Sequence, residues 1–332
     1  MEIVTLGELL IDMFPMKVGQ AMGEVEAFTP KPGGAPANVA VAARRLGRKS
    51  AFIGKVGEDL FGTYLKEVLD KEGVDTRGLH FDPEARTTMA IIAMPDENSA
   101  EFVFYRNPGA DHRLEADELD SSLLAETKVF HFGSLSLTDE PARTATLEAV
   151  KLAKEAGALI SYDLNYRPAL WKNPDEALIE AEKMLPLVDV LKVNEEEVAL
   201  LCGVASVSLA DRDGLADATG QILGRGPTLV VVTFGSQGSY FRFAGGGGYV
   251  PGFKVDTIDA VGCGDAFTAG MLSQLVEMPD WRAELSETRL SEILTFANAV
   301  GALTSLKRGV ITALPYLNEV NQFLDERNDY ER

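Results

Sequence analysis

The sequence predicts a three-layer α/β/α fold, a mostly parallel sheet covered on both faces by helices, with a small second β-sheet attached. Three observations predict it. Short apolar runs at 3–6, 129–132, 158–162, 190–193 and 229–233 read as buried strands. Longer amphipathic stretches separate them, and strand alternating with helix implies parallel pairing. Two β-rich segments, 9–30 and 86–107, break the alternation and lack a helical period. At 332 residues the chain can hold one large domain with such an insertion. The expected division is a main domain of 1–8, 31–85 and 108–332, with a discontinuous β lid of 9–30 and 86–107.

Taken in order, 3–6 is the first buried strand, and 9–30 is strand-like without helix signals. Helical patterns follow at 36–47 and 60–73. The runs 86–94 and 100–106, separated by Pro95-Asp96-Glu97-Asn98-Ser99, read as a hairpin. Strands at 129–132, 158–162 and 190–193 then alternate with helices at 141–157 and 174–186. A further helix begins right after 190–193. The helix at 208–224 leads into 229–233, the most β-branched strand. Strands 238–243 and 249–253 flank a turn at the glycines 245–248, and helices at 265–277, 291–307 and 315–328 close the chain. In such sheets ligands sit at the carboxyl ends of the strands, so the chemistry is expected just after the apolar runs.

Lys plus Arg number 31 against 51 Asp plus Glu, a formal charge of −20. That balance argues against nucleic acid or an anionic membrane as partner, while leaving room for a locally positive pocket. The only cysteines, Cys202 and Cys263, are far apart, which fits a reducing compartment rather than a disulfide framework. The histidines, His80, His112 and His131, lack metal-ligand spacing. The first twelve residues carry Glu2, Glu8 and Asp12 without a basic region, and no apolar run approaches the ~20 residues of a membrane span, so a cytoplasmic protein is expected.

The most informative stretch is Asp259-Ala260-Val261-Gly262-Cys263-Gly264-Asp265, running straight into a helical pattern. A helix start presents unpaired N–H groups and the positive end of the dipole, and glycines let a phosphate approach. A carboxylate there, at the first helical position, reads in two ways: as a cap, or as the base that activates a hydroxyl beside an anion hole. A second glycine turn, Gly33-Gly34, also opens a helix, with Asn38 one turn in and suited to a sugar hydroxyl. No Gly-x-Gly-x-x-Gly or Gly-x-x-x-x-Gly-Lys-[Ser/Thr] occurs, so any ATP is bound by another architecture. Three strand ends carry further groups: Asp163-Leu164-Asn165-Tyr166-Arg167, Lys192-Val193-Asn194-Glu195-Glu196-Glu197 and Thr233-Phe234-Gly235-Ser236-Gln237-Gly238. Asn194 and Glu197 read either as dipole-favoured residues at a helix start or as groups steering hydrated Mg2+. Cys263, with no histidine nearby in sequence, reads as an inert small residue lining the turn.

Together these residues resemble the PfkB, or ribokinase-like, carbohydrate kinase family over nearly the whole chain. Gly33-Gly34-x-x-x-Asn38-x-Ala40 is similar to its N-terminal signature, Asp259-x-x-Gly262-x-Gly264-Asp265 to its C-terminal one, and Asn194-x-x-Glu197 to its magnesium and phosphate motif. The segments Phe104-Tyr105-Arg106-Asn107-Pro108-Gly109-Ala110-Asp111 and Phe296-Ala297-Asn298-Ala299-Val300-Gly301-Ala302 resemble the fructokinase branch. The resemblance implies transfer of the ATP γ-phosphoryl group to the 6-OH of D-fructose. It implies Asp265 as base, with Gly262, Cys263 and Gly264 as anion hole. Asp12, Gly33, Gly34 and Asn38 would hold sugar hydroxyls, with Arg106 and Arg167 near sugar and phosphate. Lys192, Asn194, Glu197, Thr233, Gly235, Gly238 and Asn298 would serve ATP and Mg2+. Asp259 and carbonyls around Val261, Thr304, Lys307 and Gly309 would form a K+ site, with Ala313 where the family has a serine ligand. The family also implies a homodimer through the lid. The alternatives are a related acceptor (2-keto-3-deoxygluconate, ribose, a nucleoside) or an inactive sugar-sensing scaffold.

Overall fold

In the computed structural model, which describes residues 1–95 and 101–330, the core runs along both faces of one large sheet. Its strands are β1 (Ile3–Leu6), β4 (Ser50–Gly57), β5 (Asp75–Asp82), β8 (Val129–Gly133), β9 (Leu159–Asp163), β10 (Val190–Asn194), β11 (Leu229–Thr233), β12 (Gly238–Phe243) and β13 (Gly246–Pro251). Their order is β13-β12-β11-β10-β9-β8-β1-β4-β5; pairing is parallel from β5 to β11 and antiparallel beyond. Strand sequence runs outward in both directions from the β1/β8 neighbourhood, the kind of switch point where α/β folds bind ligands.

Successive residues of a strand point to opposite faces. Ile3, Val129, Leu159 and Val190 therefore join one apolar core, with α1 (Ala35–Arg45), α2 (Leu60–Lys71), α8 (Cys263–Leu275), α10 (Glu287–Thr304) and α11 (Leu317–Tyr330). Val4, Phe130, Ile160 and Leu191 join the other, with α3 (Ser121–Glu126), α4 (Ala142–Glu155), α5 (Pro174–Met184), α6 (Glu195–Cys202) and α7 (Arg212–Leu223). A short α9 (Trp281–Glu284) links α8 to α10. The second sheet has the order β3-β2-β6-β7, built from β2 (Leu10–Pro15), β3 (Phe28–Gly33), β6 (Met89–Ala93) and β7 (Glu101–Tyr105).

Four expectations change in detail. Strand β3 continues to Gly33, so the small sheet extends past residue 30. The glycines 246–248 lie inside β13, and the turn falls on Ala244 and Gly245. Helix α8 begins at Cys263, so Asp265 is its third residue rather than its first. The two strands β4 and β5 were not anticipated at all. Most of the turn expected at 95–99 falls outside the described residues.

Candidate active site

Four parallel strands deliver polar residues to one edge of the large sheet: Glu8 just beyond β1, and Asp163, Lys192, Asn194 and Thr233 at or near the ends of β9, β10 and β11. The start of α8 faces them. Gly262, its N-cap, takes φ +80°, and a Cβ there would lie 2.2 Å from Val310 Cγ1, so glycine alone fits. The Cys263 N–H closes a turn on the Ala260 carbonyl at 3.3 Å. The N–H groups of Gly264 and Asp265 find no acceptor among the described residues. Lys192 Nζ stands 3.4 Å from where a Gly264 Cβ would be and 3.2 Å from the Asp163 carboxylate. Burial works against its charge, but Asp163, Glu197 and Asp265 outweigh it and raise its pKa. Open N–H groups, a helix dipole and a buried ammonium thus converge where an anion would sit.

Asp265 does not cap its own helix. Its Oδ2 instead accepts a 2.8 Å hydrogen bond from Asn38 Nδ2, joining residues 227 apart in sequence. Burial, with a smaller push from Asp163, raises the Asp265 pKa to about 6 against the opposing Asn38, Lys192 and Arg167. Asp12 is raised to about 7 by burial and then by Asp265. Its carboxylate lies over Gly33, where a Cβ would come within 2.0 Å of Oδ2. Arg167 is exposed and lowers both acids, so all three charges share one cleft. Asn165 turns the chain between Asp163 and Arg167 at φ +40°, a conformation asparagine tolerates better than most residues. Of the two readings of Asp265 the cap is set aside, because its carboxylate is held by an amide from α1 instead.

Next to this cleft lies a cavity of about 360 Å³, mostly apolar, lined by Thr233, Gly235, Gly238, Phe253, Val255, Cys263, Gly264 and Phe267, with Asn298, Gly301 and Ser305. Asn298 reaches across to the carbonyls of Val250 and Pro251, both at 3.3 Å. The expected nucleotide residues Thr233, Gly235, Gly238 and Asn298 are thus brought together, and the cavity reaches the start of α8 at Cys263 and Gly264. Burial and the acids Asp259 and Asp265 push the Cys263 thiol up to about 12, which works against a thiolate there.

Other expected residues have structural duties. Arg106 is buried, paired with Asp111 at 2.6 Å and bonded to Leu135 O and Thr138 Oγ1, so most of its fork is spent inside the protein. Asn194 and Glu197 form a capping box at the start of α6, and the second Glu197 oxygen accepts from the Tyr166 N–H at 2.7 Å. Each of those three oxygens thus already accepts one hydrogen bond. Among the described residues no three His, Cys, Asp or Glu converge as a metal cage. An Mg2+ that arrives bound to ATP needs no such cage, because it keeps several waters and takes phosphate oxygens. Asp259 accepts from Val261 N–H at 3.0 Å and Gly309 N–H at 3.1 Å, tying the loop before α8 to the turn after α10. Thr304 Oγ1 bonds within α10, its carbonyl accepts from the Lys307 N–H at 3.4 Å, and Lys307 Nζ reaches Glu319. One carboxylate with neighbouring carbonyls suits a hard cation.

Sequence reading passed over Glu8, which is buried and bonded to Ala35 N–H, and gave Asp163 no task. Nothing local to 8–9 marks that acid as buried; only the fold does. No helix among the described residues is long and apolar enough to cross a membrane.

The chain has known relatives in both sequence and structure. The model of the pfkB family carbohydrate kinases matches residues 1–317. The chain is 43% identical to Fructokinase-1 of Zea mays over 324 residues, 98% of this chain and 98% of that protein. It superposes on a fructokinase with bound ATP from Xylella fastidiosa at a TM-score of 0.87 and 35% identity, covering 98% and 99% of the two chains. A double-mutant fructokinase from Vibrio cholerae O395, bound to fructose, ADP and potassium ion, matches at 0.84 and 34%, covering 98% of each.

Proposed function

The chain belongs to the pfkB family of carbohydrate kinases, in its fructokinase branch, and from that membership we propose that it transfers the γ-phosphoryl group of MgATP to the 6-OH of D-fructose. The observation that carries this reading is the Asn38–Asp265 hydrogen bond at the mouth of a glycine-opened helix, beside the nucleotide-sized cavity. Fructose would lie over Gly33 and Gly34, its hydroxyls on Asp12 and Asn38. Asp265 takes the proton of the 6-OH, the oxygen forms a bond to the γ-phosphorus, and the bond to the β-phosphate oxygen breaks, releasing ADP. Such transfer asks for positioning and charge stabilisation, which the N–H groups at Gly264 and Asp265, Lys192 and Arg167 would supply.

The small sheet would close over the sugar and exclude water. A monovalent cation at Asp259, with carbonyls of Val261, Thr304, Lys307 and Gly309, would offset the Asp259 charge and stiffen the anion hole. The homodimer would pair through the small sheet, and the protein would work in the cytoplasm. A panel of sugars in a coupled ADP assay tests the acceptor: fructose should give the highest kcat/KM. Faster turnover of 2-keto-3-deoxygluconate or ribose would overturn the choice, and sugar binding without ADP release would favour a scaffold. Asp265→Ala should lower kcat by ~10² or more, the low end for a lost general base, with little change in fructose KM.

A further inference from the structure

Glu8 has no part in the reaction as described, yet it is only 3% exposed. It lies in the connection from β1 to β2, where the chain leaves the large sheet for the small one. The chain returns through Gly34, from β3 into α1. Glu8 joins these two passages. Its Oε1 accepts from the N–H of Ala35, the first residue of α1, at 2.8 Å. Gly34, the N-cap, has no side chain with which to satisfy that helix start, so Glu8 does it from outside. Gly34 takes φ +108°, and a Cβ there would sit 2.3 Å from the Glu8 carbonyl oxygen. Both the backbone and the side chain of Glu8 thus close on the turn. One helical turn further on, Asn38 carries the amide that holds Asp265.

The charged groups facing Glu8 are Arg106 and Asp111, which are already paired with each other. Oε2 of Glu8 finds no partner among the described residues. Burial raises its pKa to about 7, against the opposing backbone hydrogen bonds. A buried acid with one oxygen committed and one idle is costly to keep and calls for a reason.

We propose that Glu8 is a positioning residue: its carboxyl clasps the strand that enters the small sheet to the helix that follows it, and so sets where α1 presents Asn38 to Asp265. The proposal rests on the reading of Asp265 as the base. Two variants of the full chain test it, Glu8→Gln, which keeps an acceptor oxygen for Ala35, and Glu8→Ala, which does not. The Ala variant should lose about tenfold in kcat, the cost of one buried hydrogen bond left unmade, and raise fructose KM severalfold. Its ATP KM should hold within ~2-fold, because other elements line the nucleotide cavity; Gln should restore both altered constants to within ~3-fold. In hydrogen exchange, the amides of 34–39 should open about tenfold faster in the Ala variant and at the parent rate in the Gln variant. Exchange does not depend on catalysis, so it stands even if Asp265→Asn retains turnover and the base assignment fails. Unchanged exchange over 34–39 in Glu8→Ala would overturn the clasp. So would a Gln variant as impaired as Ala, or a loss of kcat at unaltered fructose KM, which marks a smaller folded fraction.

Discussion

A carboxylate that takes a proton near neutrality has to be held near its own pKa, and burial raises Asp265 from the ordinary 3.8 to about 6. Turnover should therefore fall on the acid side through a limb near pH 6. Asp12, close by and raised to about 7, shares that titration, so the limb belongs to the pair. The same shift acts on stability with a definite sign. Between pH 3.8 and about 6 the folded state holds the Asp265 proton more tightly than the unfolded chain, so stability falls as pH rises through that window. Asp265→Asn should thus melt higher than the parent above pH 6 and converge with it near pH 4, while losing turnover. A variant less stable than the parent at pH 8 would mean the carboxylate is stabilised by its surroundings, contrary to its burial. At this scale the sequence disclosed residue types at helix starts. It did not disclose that Asn38 would meet Asp265, because that contact is made by the fold alone.

At the scale of elements, α6 separates a structural duty from a chemical one. Asn194 caps that helix and Glu197 returns the bond, and aspartate caps as well as asparagine does. Asn194→Ala should cost about 1 kcal/mol in denaturant unfolding, the worth of a cap. Asn194→Asp should keep that stability; a raised ATP KM in Asn194→Asp alone would show that the amide also serves the nucleotide. Elements with a clean period were legible: β1, β8, β9, β10 and β11 fall within a residue of expectation and most helices within two, while α7 starts four residues later and α10 four residues earlier than expected. Strand β4 was hidden because Lys55 interrupts its apolar run; that lysine is buried and satisfied by Glu118 and Asp82 from elsewhere in the fold. Strand β5, at the sheet edge, is too polar to read as a core strand. Helix α8 starts earlier than its pattern because glycine and cysteine carry little helical signal.

For the whole molecule, the small sheet leaves Phe102 42%, Val103 47% and Tyr105 58% exposed, with Met16 just past β2 64% exposed and β7 an edge strand unpaired on one side among the described residues. Apolar side chains along an open edge favour pairing with a second copy. Gel filtration should give about twice 35.8 kDa, and Tyr105→Lys with Val103→Lys should halve it. A mass near 35.8 kDa for the parent at micromolar concentration would rule the dimer out. The Asn38–Asp265 contact has a consequence in time as well as in space. Its partners lie 227 residues apart. At ~5–20 residues per second of synthesis, the chain spends on the order of ten seconds or more with Asn38 made and Asp265 not yet polymerised. On the reading of Asp265 as the base, the growing polypeptide has no competent phosphotransfer centre through that interval, and it gains one only as the last fifth or so of the chain is made.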